Sequence, residues 1–69
     1  MPLIHVTLVE GRDPAQIRAL VSGVTEAVER SLGAPRDAVR VIVQEVPGTH
    51  WAVGGVTLEE RRRADGADR

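Results

Sequence analysis

A proline at position 2, arginines at positions 12 and 40 and a single tryptophan at position 51 are the residues of this chain whose types could do chemistry. Proline in second place is small enough for removal of the initiator methionine to be expected. That leaves a secondary amine at the chain end, and a neutral amine is a base. Taken by itself, Pro2 equally suits the start of an edge strand, where a missing N–H costs nothing. Each arginine presents a planar fork that grips a carboxylate through two parallel hydrogen bonds, and bonds to charged groups contribute about 1.5–3 kcal/mol each. Arg12 follows Gly11 in a short strand-to-helix connection. Such loops carry functional residues on a rigid scaffold, although surface arginines are ordinary there too. Arg40 stands mid-strand among valines, where exposure at an edge is the default and burial would call for an anion. Trp51 is suited to anchoring a subunit interface, whatever else it does.

Other polar residues carry less. His5 lies among apolar neighbours and His50 adjoins Trp51, neither with a partner at metal-ligand spacing. Both read as structural histidines, with a tuned base as the alternative. There are no cysteines, which excludes a disulfide framework and a thiolate metal site, and no metal centre is expected. Nine basic residues, all arginine, meet ten acidic ones for a net charge of −1, so nothing draws the chain toward nucleic acid or an anionic membrane. The run Glu59-Glu60-Arg61-Arg62-Arg63 is self-balancing and reads as solvated surface. No phosphate-cradling loop, dinucleotide fingerprint or nucleophile elbow occurs, which leaves phosphoryl transfer, nicotinamide chemistry and triad hydrolysis without motif support. No apolar stretch approaches the ~20 residues of a membrane span, and the Met-Pro-Leu-Ile-His start lacks the basic region of an export signal. The expectation is a soluble, cytoplasmic chain.

Leu3 to Val9 alternates with period 2 and reads as a strand with both faces mostly buried. Asp13-Pro14-Ala15-Gln16 then has the form of a helix start, with Asp13 as N-cap, Pro14 in the first turn and Gln16 closing a capping box. Apolar residues at Ile17, Leu20, Val21, Val24, Ala27, Val28 and Leu32 form one helical stripe, and Arg18, Ser22, Glu26, Glu29 and Arg30 take the opposite side. Gly33 followed by Ala34-Pro35 ends the helix. Val39 to Val46 is a second strand, and a strand-helix-strand unit of this length makes a right-handed crossover with parallel strands. After the Pro47-Gly48 turn, Thr49 to Leu58 folds as a short hairpin about Gly54-Gly55. The α/β fold expected is thus one β-α-β unit plus a short C-terminal hairpin, within a single domain spanning residues 1–58. Residues 59–69 read as a charged, frayed C-terminal tail without an element of its own.

Sixty-nine residues are less than half of the roughly 150 of a typical domain. A chain so short buries only about 60% of its unfolded surface, and its core supplies about 3–5 kcal/mol. Yet 42% of the residues are hydrophobic, eleven of them valine. The inference is that the core is completed by self-association.

Taken in order, Pro2-Leu3-Ile4, Glu10-Gly11-Arg12, Arg36-Asp37-Ala38-Val39-Arg40-Val41-Ile42-Val43 and His50-Trp51-Ala52-Val53-Gly54-Gly55 resemble the 4-oxalocrotonate tautomerase family over residues 2 to about 58. The resemblance implies a subunit that dimerises into a four-stranded sheet and assembles as a trimer of dimers, a homohexamer with active sites between subunits. It also implies that the processed Pro2 is the catalytic base, and that Arg12 and Arg40 bind and polarise a small-molecule carboxylate. The two arginines are then shared between subunits, and no cofactor takes part. The pocket aromatic of the family is typically phenylalanine, whereas here Trp51 would line the substrate site.

The chemistry so implied is physically sound. A terminal amine titrates near ~8 and must be neutral to accept a proton. At an effective dielectric of ~20, one cation ~6 Å away disfavours its charged form by roughly 3 kcal/mol, lowering the pKa by about two. An apolar pocket pushes the same way. The expected reaction is keto-enol tautomerisation of a 2-hydroxydienoate such as 2-hydroxymuconate to its 2-oxo isomer. A biosynthetic member acting on a bulkier substrate would also suit Trp51. A hydratase or dehalogenase needs a carboxylate to activate water, and His50 to Leu58 contains none, which leaves Glu10 and Glu45. Retention of Met1 would turn the Pro2 nitrogen into an amide and favour a non-catalytic oligomerising module.

Overall fold

The computed structural model describes residues 1–66. Strand β1 covers Leu3–Val9, helix α1 Pro14–Leu32 and strand β2 Arg40–Val46; β3 (Ala52–Val53), β4 (Val56–Thr57) and helix α2 (Leu58–Gly66) follow. β1 and β2 pair in parallel with Leu3 opposite Arg40, His5 opposite Ile42 and Val9 opposite Val46. A short 3₁₀ turn, Arg36–Ala38, delivers the chain to β2. The second strand therefore starts one residue later than its valine pattern suggested, and Arg40 is its first residue rather than a mid-strand one.

Capping chemistry sets the limits of α1. Asp13 accepts from the Gln16 N–H at 2.9 Å while the Gln16 side chain accepts from the Asp13 N–H at 3.0 Å, with Pro14 opening the helix. Gly33 closes it, its N–H donating to the Glu29 carbonyl at 2.9 Å. Ile17, Leu20, Val21, Val24 and Val28 are half-buried on the helix. Ile4, Val6, Leu8, Val41 and Val43 are half-buried on the strands, in the opposite phase to the exposed Leu3, His5, Thr7, Ile42 and Gln44. Helix-side residues and open-face residues thus alternate along both strands.

No hydrophobic side chain among the described residues is fully buried, and Thr25, whose hydroxyl donates to the Val21 carbonyl, is the single buried residue. Leu3 is 61% exposed and Ile42 49%. The expectation that both faces of β1 are covered is therefore not met within one chain: the face away from α1 is open. His5 Nε2 lies 3.2 Å from Gln44 Oε1 on that face. The radius of gyration is 16.1 Å, against about 11 Å for a compact chain of this length. Each apolar side chain left in water forgoes roughly 1.5–3 kcal/mol of burial.

Beyond β2 the chain continues as a C-terminal arm. β3 and β4 pair antiparallel through Gly54 and Gly55, both at positive φ (61° and 82°), the two-glycine turn whose twist matches a hairpin. The stretch after Leu58, expected to fray, is instead helix α2 as far as Gly66. Its start is a capping box: the Thr57 hydroxyl accepts from the Glu60 N–H at 3.1 Å and Glu60 Oε2 accepts from the Thr57 N–H at 2.8 Å. Arg63 pairs with Glu59 at 2.7 Å one turn away. Residues 67–69 of the expected tail lie outside the described residues.

Candidate active site

The two strands run the same way, so the sheet has two chemically different ends. At the start of the strands, Pro2 is half-buried and its carbonyl accepts from the Arg40 N–H at 2.9 Å. The Arg40 side chain is steered by the preceding 3₁₀ turn, Nη1 donating to the Asp37 carbonyl at 2.6 Å. Pro2 and Arg40 are thus brought together by strand pairing itself.

At the far end, Glu10 N–H donates to the Val46 carbonyl at 2.8 Å and extends the ladder past β1. Gly11 then turns the chain at φ 129°, a region closed to side chains with a Cβ. Arg12 folds back over this end, Nη1 donating to the Val9 carbonyl at 2.9 Å. A seven-residue strand is about 20 Å long, so Arg12 stands a strand-length away from the Pro2 of its own chain. Trp51, 38% exposed, also follows this end: β2 finishes at Val46 and the 3₁₀ turn Gly48–His50 leads into it. Its carbonyl accepts from the Leu58 N–H at 2.7 Å, which ties the arm's root to the start of α2. One chain therefore unites Pro2 with Arg40 and leaves Arg12 and Trp51 at the opposite end.

A cavity of about 430 Å³ opens beside Arg12, lined by Pro14, Ile17, Arg18, Val21 and Glu45. Arg18 was expected on the solvent side of α1. It is exposed, as expected, and also borders the cavity, because its position on the helical wheel falls between Pro14 (i−4) and Val21 (i+3). Glu45 faces the same space, while Glu10 is exposed. His50 is exposed, and among the described residues no group of three or more His, Cys, Asp or Glu is arranged to hold a metal ion. No helix among them is long and apolar enough to cross a membrane.

The chain, a parallel β-α-β unit with a C-terminal hairpin, belongs to the tautomerase enzyme family, whose model matches residues 2–61. Among its relatives, the Ralstonia nicotianae protein named probable tautomerase RSp0893 is 57% identical over 56 residues, 81% of this chain and 80% of that protein. TomN, a 4-oxalocrotonate tautomerase homologue in the tomaymycin biosynthetic pathway, superposes with a TM-score of 0.88 at 52% identity, over 90% of this chain and 95% of that one. A chain of the heterohexameric 4-oxalocrotonate tautomerase from Chloroflexus aurantiacus gives a TM-score of 0.84 at 40% identity, covering 87% and 97%.

Proposed function

We propose that the chain is a cofactor-independent keto-enol tautomerase of 2-hydroxydienoates, with Pro2 as the base once Met1 is removed. The observation that carries this reading is the distribution of the three polar residues. Pro2 and Arg40 share one end of the sheet, and Arg12 occupies the other. Pairing two chains antiparallel along β1 would set the Pro2 end of one against the Arg12 end of its partner and complete a four-stranded sheet. A two-fold axis generates two such sites per pair. The open sheet face with Leu3 and Ile42 exposed supports further association of pairs, as in the hexameric assembly proposed here.

In the reaction, the neutral Pro2 nitrogen takes the 2-hydroxyl proton, forming an N–H bond as the O–H bond breaks. The electron pair moves along the diene, and the same proton is returned to a distal carbon, giving the 2-oxo isomer. Arg40 holds the carboxylate and the 2-oxygen; Arg12 draws charge toward the far end of the dienolate. The guanidiniums favour the neutral amine by raising the cost of protonating it, and their contribution to the rate is electrostatic preorganisation. Trp51, carried on the arm, contributes an apolar wall from a neighbouring subunit. The test is ultraviolet-monitored ketonisation of 2-hydroxymuconate by protein whose mass shows Met1 absent.

A bulkier substrate is favoured by two observations. The cavity beside Arg12, at about 430 Å³, lies within the range of roughly 300–1,000 Å³ typical of small-molecule pockets and leaves room beyond Arg12 along α1. The similarity to TomN, from a biosynthetic pathway, points the same way.

A further inference from the structure

Arg18 itself is unused by the reaction just described. With Val21, it is common to two adjoining cavities. The first, of about 430 Å³, also holds Arg12, Ile17 and Glu45; the second, of about 330 Å³, reaches Ser22, Thr25 and Arg36. Val21 lines both, so the two form one groove along α1. The first stretch follows the helix from Pro14 to Val21, about 10 Å of axis.

The charges along the groove are unequal. Arg36 is committed to Glu29 at 2.6 Å, and one Arg12 nitrogen is committed to the Val9 carbonyl. Arg18 has no hydrogen bond or ion pair to any described residue. Glu45, the one carboxylate on the wall of the first cavity, pairs with neither Arg12 nor Arg18. Two guanidiniums against one carboxylate leave net positive charge in a cavity whose remaining walls are Pro14, Ile17 and Val21. Such a site suits an occupant with an anionic end and an apolar body.

We infer that this groove is a distal carboxylate subsite, in which Arg18 acts with Arg12 on the far end of an acid longer than 2-hydroxymuconate. The inference rests on the proposed tautomerase reading and deepens it by naming the substrate class: a 2-hydroxydienoate extended by an apolar chain that ends in a second carboxylate. Ile17 and Val21 contact the chain. The guanidinium fork of Arg18 binds the terminal carboxylate bidentately. Glu45 disfavours a further negative charge midway and accepts a hydrogen bond from a hydroxyl there. Arg18 is in this account a specificity-determining residue and takes no part in proton transfer.

The experiment is calorimetric binding of succinate, adipate, suberate and sebacate to the assembled, processed protein and to its Arg18→Ala and Arg18→Lys variants. Ketonisation of 2-hydroxymuconate is followed in parallel. Arg18 is exposed on a helix, and alanine is at least as good a helix former, so the variants fold; circular dichroism checks this. The expected result is affinity that rises with chain length in the parent, a roughly tenfold weaker binding of suberate or sebacate in Arg18→Ala, and partial recovery in Arg18→Lys. Equal affinities of parent and Arg18→Ala for every diacid, or no binding of the longer ones, overturns the subsite whether or not turnover is seen. Length-dependent, Arg18-dependent binding without turnover retains the subsite and overturns the tautomerase reading instead.

Discussion

The carbonyl of Pro2 accepts the backbone N–H of Arg40 at 2.9 Å, so the residue before β1 and the first residue of β2 are neighbours through main-chain pairing. Their proximity does not depend on either side chain. Substitutions at Arg40 therefore remove a charge without removing the bond that holds the two strand ends together.

That separation yields the first prediction. Arg40→Ala is expected to assemble normally and to lose roughly 10²–10³ in kcat for 2-hydroxymuconate, the loss typical of one electrostatic donor in a preorganised site. Arg40→Lys keeps charge but not the planar fork and should recover only part of the rate. Steady-state kinetics on variants of parental sedimentation coefficient check both.

The pH profile supplies a second. With Pro2 as the proposed base, kcat/KM is expected to rise with pH as the amine deprotonates and to level off above its pKa. Guanidiniums placed as proposed would lower that pKa, because they penalise the protonated amine. Removing one by Arg12→Ala or Arg40→Ala takes the penalty away and is expected to displace the rising limb toward higher pH, by about one to two pH units for a cation ~6 Å away. A limb that stays in place in both variants contradicts the assigned neighbourhood of the amine.

Arg12 stands at the opposite end of β1 from Pro2, which leads to a prediction about mixtures. A Pro2→Ala chain and an Arg12→Ala chain are each expected to be nearly inactive. Co-refolded in equal amounts, they should regain about a quarter of parental activity, because random pairing makes half the pairs mixed and each mixed pair has one intact site of two. A mixture no more active than its components would place both residues in the same chain's site.

The strand and helix limits could be read from the sequence because their determinants are local. Asp13, Pro14 and Gln16 carry the N-terminal capping chemistry of α1 within four residues, and the alternation of Leu3 to Val9 places Ile4, Val6 and Leu8 on the helix side. Helix α2 departs from the expected frayed tail, since Glu59 to Gly66 has no apolar stripe to mark it. Its signal was Thr57-Leu58-Glu59-Glu60, a capping box that stands without a periodic pattern behind it. Arg18 reads as solvent-facing and is exposed; that it also borders a cavity depends on Glu45 of β2 lying across from it, which no local pattern carries. The separation of Pro2 from Arg12 follows from the strand Leu3–Val9 between them and is legible, whereas the closeness of Pro2 to Arg40 depends on the register of β1 against β2, which no local pattern carries.

Association should depend on the open sheet face. Ile42 is 49% exposed there, flanked by Gln44 and opposite His5. Ile42→Asp introduces a charge whose burial against an apolar partner is costly. It is expected to shift the protein toward smaller species in sedimentation at micromolar concentration, and to make its melting temperature lower and more dependent on protein concentration. Exposed Glu26→Ala on α1, whose ion pair to Arg30 spans 3.9 Å at the surface, should change neither.

The most direct test of the central claim concerns one nitrogen atom. Ketonisation of 2-hydroxymuconate is measured for the protein with Pro2 at its mature N-terminus and for the same protein with that nitrogen acylated, each verified by intact mass. The first is expected to turn over substrate and the second to lose at least about 10²-fold, as for removal of a general base. Equal rates would rule out the Pro2 nitrogen as the base.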